Sequence, residues 1–115
     1  MRTEIQINID CADPNKLAEW YCEALGYALE GEAGQQYRSI SARDGRPKLI
    51  FQRVPESKAA KNRVHLDLIV GPEYQAEADR LERLGATRVE QIAEYGLNWI
   101  VMHDPEGNEF CVCDA

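Results

Sequence analysis

Near the C-terminal end of this sequence, HDPEGNEFCVC (103–113) reads as a turn followed by a short strand. Alternation puts Glu109, Cys111 and Cys113 on one face of that strand. A solvated strand needs neither cysteine, which raises the question of whether the face is a pocket wall. On such a wall Cys111 can be a metal ligand, a nucleophile or an inert buried thiol. As a nucleophile it needs a neighbouring base, and His65 is the candidate. Asp67 shares a strand face with His65, where a carboxylate requires a partner or a cationic ligand. Glu109 has the parity of Cys111 and is a candidate general base. His103, directly before the DP turn, reads as a solvated or capping side chain. Trp99 in NWIVMHD stands between pocket wall and core, whereas Trp20 and Tyr21 sit at helical positions that pack a core. Asn8, Asp67, Trp99 and Cys113 are the candidate substrate contacts.

These side chains need strands to hold them. TEIQINID (3–10) alternates strictly, with Ile5, Ile7 and Ile9 on one side and Gln6, Asn8 and Asp10 on the other. ADPNKLAEWYCEALGY follows: Asp13 can cap a helix, Pro14 takes its first position, and Leu17, Trp20, Tyr21, Ala24 and Leu25 recur at helical spacing. Gly26 stops it. Strand-like stretches at 27–32, 36–42 and 48–54 complete a βαβββ order. After a polar connection, PESKAAKN (55–62), the order begins again: RVHLDLIV alternates, Pro72 opens a helix and Gly85 closes it. Leu25-Gly26 and Leu84-Gly85 differ by 59, as do Phe51 and Phe110. The same shift takes Gln6 to His65 and Gln52 to Cys111. This self-similarity predicts two copies of one supersecondary unit, about 1–54 and 63–115, within a single domain.

Composition narrows the function. At 115 residues with 44% hydrophobic content the chain suits one soluble domain, and no apolar run reaches the roughly 18 residues that span a bilayer. The start, MRTEIQINID, lacks the apolar core of a signal peptide, so a cytoplasmic protein is expected. Twenty acidic against 13 basic residues leave a charge of -7, which argues against nucleic acid and favours a neutral or cationic small molecule. Four cysteines without a CxxC pair are expected as reduced thiols.

Paired βαβββ units, the LGY and LGA helix stops and the DPEGNEF turn resemble the vicinal-oxygen-chelate superfamily, which includes glyoxalase I, fosfomycin-resistance enzymes, extradiol dioxygenases and bleomycin-resistance proteins. More narrowly, IDCADPNKLAEWYCEALGY, LIFQRVPE and VHLDL look like its glyoxalase-like subgroup. The resemblance implies an α+β fold in which two βαβββ modules form a curved mixed-sheet cup with the helices outside; it allows the modules to pair within one chain or across a dimer, and a homodimer is expected. It also implies metal ligands on the first and last strands of each module, which here are Gln6, Gln52, His65 and Cys111. That set contains no carboxylate. It fits either no cofactor or one divalent metal, zinc or nickel.

Two functions follow. One is a glyoxalase-like lyase or isomerase that uses His65, with Glu109 as a weaker candidate, in acid-base chemistry. The other is a metal-free protein that sequesters a small molecule, as bleomycin-resistance proteins do. Extradiol dioxygenase and fosfomycin-transferase activities are not expected, because the chain has two histidines in total and only one at a ligand position. Asp10, Asp67 and Glu109 share parity with the inward residues, so a cation-binding cup is expected, with Asp67 as its main contact.

Overall fold

In the computed structural model, which describes residues 2–115, the alternating start becomes β1 (Gln6–Cys11). It is followed by α1 (Pro14–Leu25), β2 (Ala28–Glu30), β3 (Tyr37–Ser41) and β4 (Lys48–Arg53). The sheet order is β1-β4-β3-β2, with β1 parallel to β4 and the other pairs antiparallel. These elements make up unit 1, which runs to Ser57. The parallel pair requires a crossover, and the chain supplies it through α1, β2 and β3.

The helix is bounded as its sequence dictates. Asp13 accepts a hydrogen bond from the Lys16 amide at 3.1 Å, Pro14 follows, and Gly26 takes the left-handed φ of 70° that ends the helix. Leu17, Ala18, Tyr21 and Ala24 form its buried stripe against Ile40, Leu49 and Phe51. Tyr21 stacks on Phe51 with ring centroids 5.2 Å apart, and Trp20 meets Tyr21 edge-on at 4.8 Å. Alternation in β4 therefore sends Leu49 and Phe51 to the helix and leaves Gln52 on the opposite face.

Unit 2, Lys58–Ala115, repeats the order: β5 (Leu66–Ile69), α2 (Tyr74–Leu84), β6 (Thr87–Glu94), β7 (Leu97–His103) and β8 (Glu109–Cys113), arranged β5-β8-β7-β6. Ala78 and Leu81 of α2 are fully buried, as are Ile100 and Met102 of β7 and Val112 of β8, with Phe110 beside them. Pro72 does not open this helix. It lies in a turn, and the helix starts at Tyr74 after Glu73, whose side chain makes no capping bond. Residues 58–62, read from sequence as part of a polar connection, are hydrogen-bonded into unit 2.

The two modules repeat with a displacement that the sequence hides. The helix stops and the fourth strands keep the offset of 59. On the first strands, however, Asp10 faces Gln52 while Asp67 faces Cys111, an offset of 57. By pairing, His65 therefore corresponds to Asn8, not to Gln6. N-I-D (8–10) and H-L-D (65–67) are the matching triplets, and two extra residues lie between strand and helix in unit 2.

Candidate functional site

In unit 2 the side chains that turn away from α2 stand in rows across the sheet. His103 and Glu109 form one row. Glu90, Val101, Cys111 and Asp67 form the next, and Ile92, Trp99, Cys113 and Ile69 the third. Leu97 follows beyond them. Apart from Ile69, this face lines a cavity of about 670 Å³, joined at its polar end by His65 and Lys61. Trp99 thus belongs to the cavity wall with its parity partners Val101 and His103, because Ile100 and Met102, on the opposite face of the strand, take the core. His103, read from sequence as solvated, also lines the cavity.

At the polar end, His65 Nε2 lies 3.1 Å from Asp67 Oδ1. Single ligand atoms of His65, Asp67 and Cys111 all lie within 4.8 Å of one another. Burial pushes the Cys111 thiol up to about 11, helped by the charge of Asp67, the neighbouring Cys113 and a hydrogen bond to Asp67, while Lys61 pulls the other way. Cys113 is raised for the same first reason, burial, and then by Asp67 and Asp114. Both are protonated thiols at neutral pH, which removes the nucleophile reading of Cys111. Asp67 is thus not the open carboxylate expected to meet a cation: the imidazole and the thiol engage it.

Glu109 also departs from its expected role as a base. Its Oε1 accepts from Lys58 Nζ at 3.0 Å and its Oε2 from the Asn62 amide at 3.1 Å, while its own amide donates to Asn62 Oδ1. Burial would raise its pKa, but the Lys58 and Asn62 bonds together outweigh it and the carboxyl is held below its ordinary value. Glu109 is a clamp for residues 58–62. The DPEGN turn is likewise structural. Asp104, only 3% exposed, accepts from the amides of Glu106 and Asn108 and from Asn108 Nδ2. Gly107 completes the turn with a φ of 88°, open to glycine and costly for other residues.

The remaining expected residues belong to unit 1. Asn8 Nδ2 donates to Gln52 Oε1 at 3.2 Å, in the same diagonal relation that joins His65 to Cys111. Gln6 pairs in register with Lys48, four residues along from the Asp10–Gln52 level. At strand rise that is roughly 13 Å, with Asn8 between, so the structure does not bring Gln6 to Gln52. Lys61 is one of the pocket residues that sequence reasoning missed, with Glu90, Ile92, Leu97 and Asn98 among the others. It lies in a polar connection with no periodicity, and its position depends on Glu109, far away in the chain.

A family model described as a glyoxalase-like domain matches residues 6–113. The chain belongs to the glyoxalase-like domain family. It thereby falls in the vicinal-oxygen-chelate superfamily, and its two βαβββ modules agree with that membership. A glyoxalase/bleomycin resistance protein/dioxygenase family enzyme from Burkholderia phytofirmans superposes with a TM-score of 0.80 at 17% identity, covering 96% of this chain and 98% of that one. A fosfomycin resistance protein from Listeria monocytogenes, in complex with Mn(II) and 1S,2S-dihydroxypropylphosphonic acid, gives 0.81 at 13% identity, covering 100% and 92%. The oxidase ChaP-H2 gives 0.73 at 14%, covering 100% and 95%. At these identities the likeness is one of fold. No curated protein sequence matches this chain.

Proposed function

We propose that this glyoxalase-like protein is a small-molecule enzyme of the isomerase or lyase type, in which His65 moves a proton at a carbon next to a carbonyl. The observation that carries the reading is the His65–Asp67 contact at 3.1 Å inside the unit 2 cavity. With its Nε2 proton held by Asp67, the imidazole keeps one tautomer and one orientation. Its Nδ1 lone pair is then left to accept a substrate proton and return it. The cavity volume falls within the range of small-molecule sites, and apolar side chains line the end away from His65.

The same side chains fit a divalent ion. Their donor atoms lie within 4.8 Å of one another, against roughly 3.5 Å between ligands of tetrahedral zinc, and side-chain rotation closes that gap. Imidazole, carboxylate and thiolate together suit zinc or nickel. An ion held there would polarise a substrate carbonyl oxygen. His65 serves as a base in the metal-free form and as a ligand in the loaded one.

The test is solvent deuterium exchange, followed by proton NMR, over a panel of enolisable carbonyl compounds. Catalysed loss of a C–H signal is expected, falling on the order of 100-fold or more in His65→Ala. Exchange unchanged in that variant would overturn the assignment. A second reading, metal-free binding without turnover, draws support from the protonated Cys111 thiol and the apolar rows. Saturable binding with no exchange at all would select it. The proposal extends to a homodimer in the cytoplasm. It is supported by four free cysteines and by exposed Ile5, Val64 and Ile69, and it can be checked by sedimentation.

A further inference from the structure

The cavity of unit 2 has two unlike ends, and each leaves a different requirement unfilled. At the polar end the acceptors are already engaged: Asp67 by His65 and Cys111, Glu109 by Lys58 and Asn62. Asn98, farther along, is held by Asp114 through two bonds of 3.1 and 2.8 Å. Besides the Nδ1 lone pair of His65, what remains at the polar end are donors. The side chains of Lys61 and His103 line the cavity without a hydrogen-bond or ion-pair partner among the described residues. Lys61 is fixed there because its neighbours Lys58 and Asn62 anchor the backbone to Glu109 and Asn108, and it is close enough to Cys111 for its charge to be felt by the thiol. The carboxylate left over, Glu90, stands on β6, across β7 and β8 from Asp67.

At the other end Ile92, Trp99 and Cys113 present apolar surface, with Leu97 beyond them. Leu97 is exposed, at 42%. Trp99 is the one aromatic ring on this wall, half-buried, and it offers a flat surface on which a second ring stacks.

We propose that the ligand of this cavity is an aromatic carboxylate or similar aryl oxyanion, its ring against Trp99 and its oxygens toward Lys61 and His103. The inference rests on the unit 2 face being the binding site, as in the proposed function, and it deepens that reading by naming the ligand class. It reverses the cationic preference that parity alone suggests, because Asp67 and Glu109, the two carboxylates counted there that belong to unit 2, are engaged by internal partners.

The test uses three probes, 2-naphthoate, 2-naphthylmethylammonium and cyclohexanecarboxylate, against the full chain carrying Trp20→Phe, so that Trp99 is the sole tryptophan reporter. Saturable quenching of Trp99 by 2-naphthoate is expected, with affinity about tenfold above either other probe. Trp99→Ala should weaken binding about tenfold by calorimetry, Trp99→Phe should restore most of it, and Lys61→Ala should remove the preference for the carboxylate over the ammonium. Equal or tighter binding of the ammonium, or 2-naphthoate binding that leaves Trp99 emission unchanged, would overturn the proposal; neither result depends on a destabilised variant. The two readings fail separately. Deuterium exchange with no aryl preference removes the ligand class alone, whereas aryl binding with exchange indifferent to His65→Ala removes the proton-transfer role alone.

Discussion

Cys111 and Glu109 sit two residues apart on one strand face, yet their neighbours push them in opposite directions. Cys111 meets burial and the charge of Asp67, so its thiolate forms only near pH 11. In metal-free protein, alkylation of Cys111 followed by mass spectrometry should be slow at pH 8 and rise about tenfold per pH unit. Asp67→Asn removes a charge that raises this pKa, so that variant should react faster at pH 9. A slower reaction would show that Asp67 does not govern the thiol. Glu109 works the other way. Its folded pKa lies below the unfolded value of about 4.3, so its contribution is present above that value and is lost as pH falls through the folded one. Glu109→Gln should cost about 1.5 kcal/mol in urea melts at pH 7, and the difference from wild type should shrink below pH 4. Parity alone placed both residues on one face. It could not show that Glu109 is occupied, because Lys58 lies 51 positions away and only the folded sheet brings it to the carboxylate.

At the scale of elements, capping separates the two helices. The Asp13 bond to Lys16 makes Asp13→Ala cost about 1 kcal/mol, whereas Glu73→Ala, which removes no capping bond, should fall within about 0.5 kcal/mol of wild type. Chemical denaturation of the pair checks this, and equal losses would contradict the cap geometry. The same asymmetry explains where sequence reading succeeded. D-P before α1 carries a side-chain acceptor and a proline, so the start of that helix was legible. G-P before α2 carries the proline without the acceptor, and the helix begins two residues later. The first strands were legible as strands but not in register. Pairing depends on partners more than 40 residues distant, so the 59-residue offset of the helix stops carried Gln6 onto His65, where hydrogen bonding matches Asn8 with it. A two-residue shift keeps parity, which is why the faces came out right and the partners did not.

For the whole molecule the repeat was the strongest signal, since each βαβββ module writes its own helix stripe and buried phenylalanine into the sequence. The site was less legible, because the two modules carry different side chains on equivalent positions. Unit 1 has Asn8, Asp10 and Gln52 where unit 2 has His65, Asp67 and Cys111. Neutral amides hold divalent ions poorly, so metal-dependent stabilisation of the chain should trace to unit 2 alone. Zinc that binds the folded chain and not the unfolded one raises stability by RT ln(1 + [Zn]/Kd), about 2.7 kcal/mol at a hundredfold excess over Kd. For a chain of this length that is a rise in melting temperature of roughly 10 °C. Calorimetric scans should show the rise with zinc, a much smaller one with Mn(II), and reversal by EDTA. His65→Ala and Cys111→Ser should each abolish it, while Asn8→Ala and Gln52→Ala should leave it intact. If Gln52→Ala removes the zinc effect instead, the ion is held by unit 1 side chains, and the three donors beside the unit 2 cavity serve only as a hydrogen-bonded cluster.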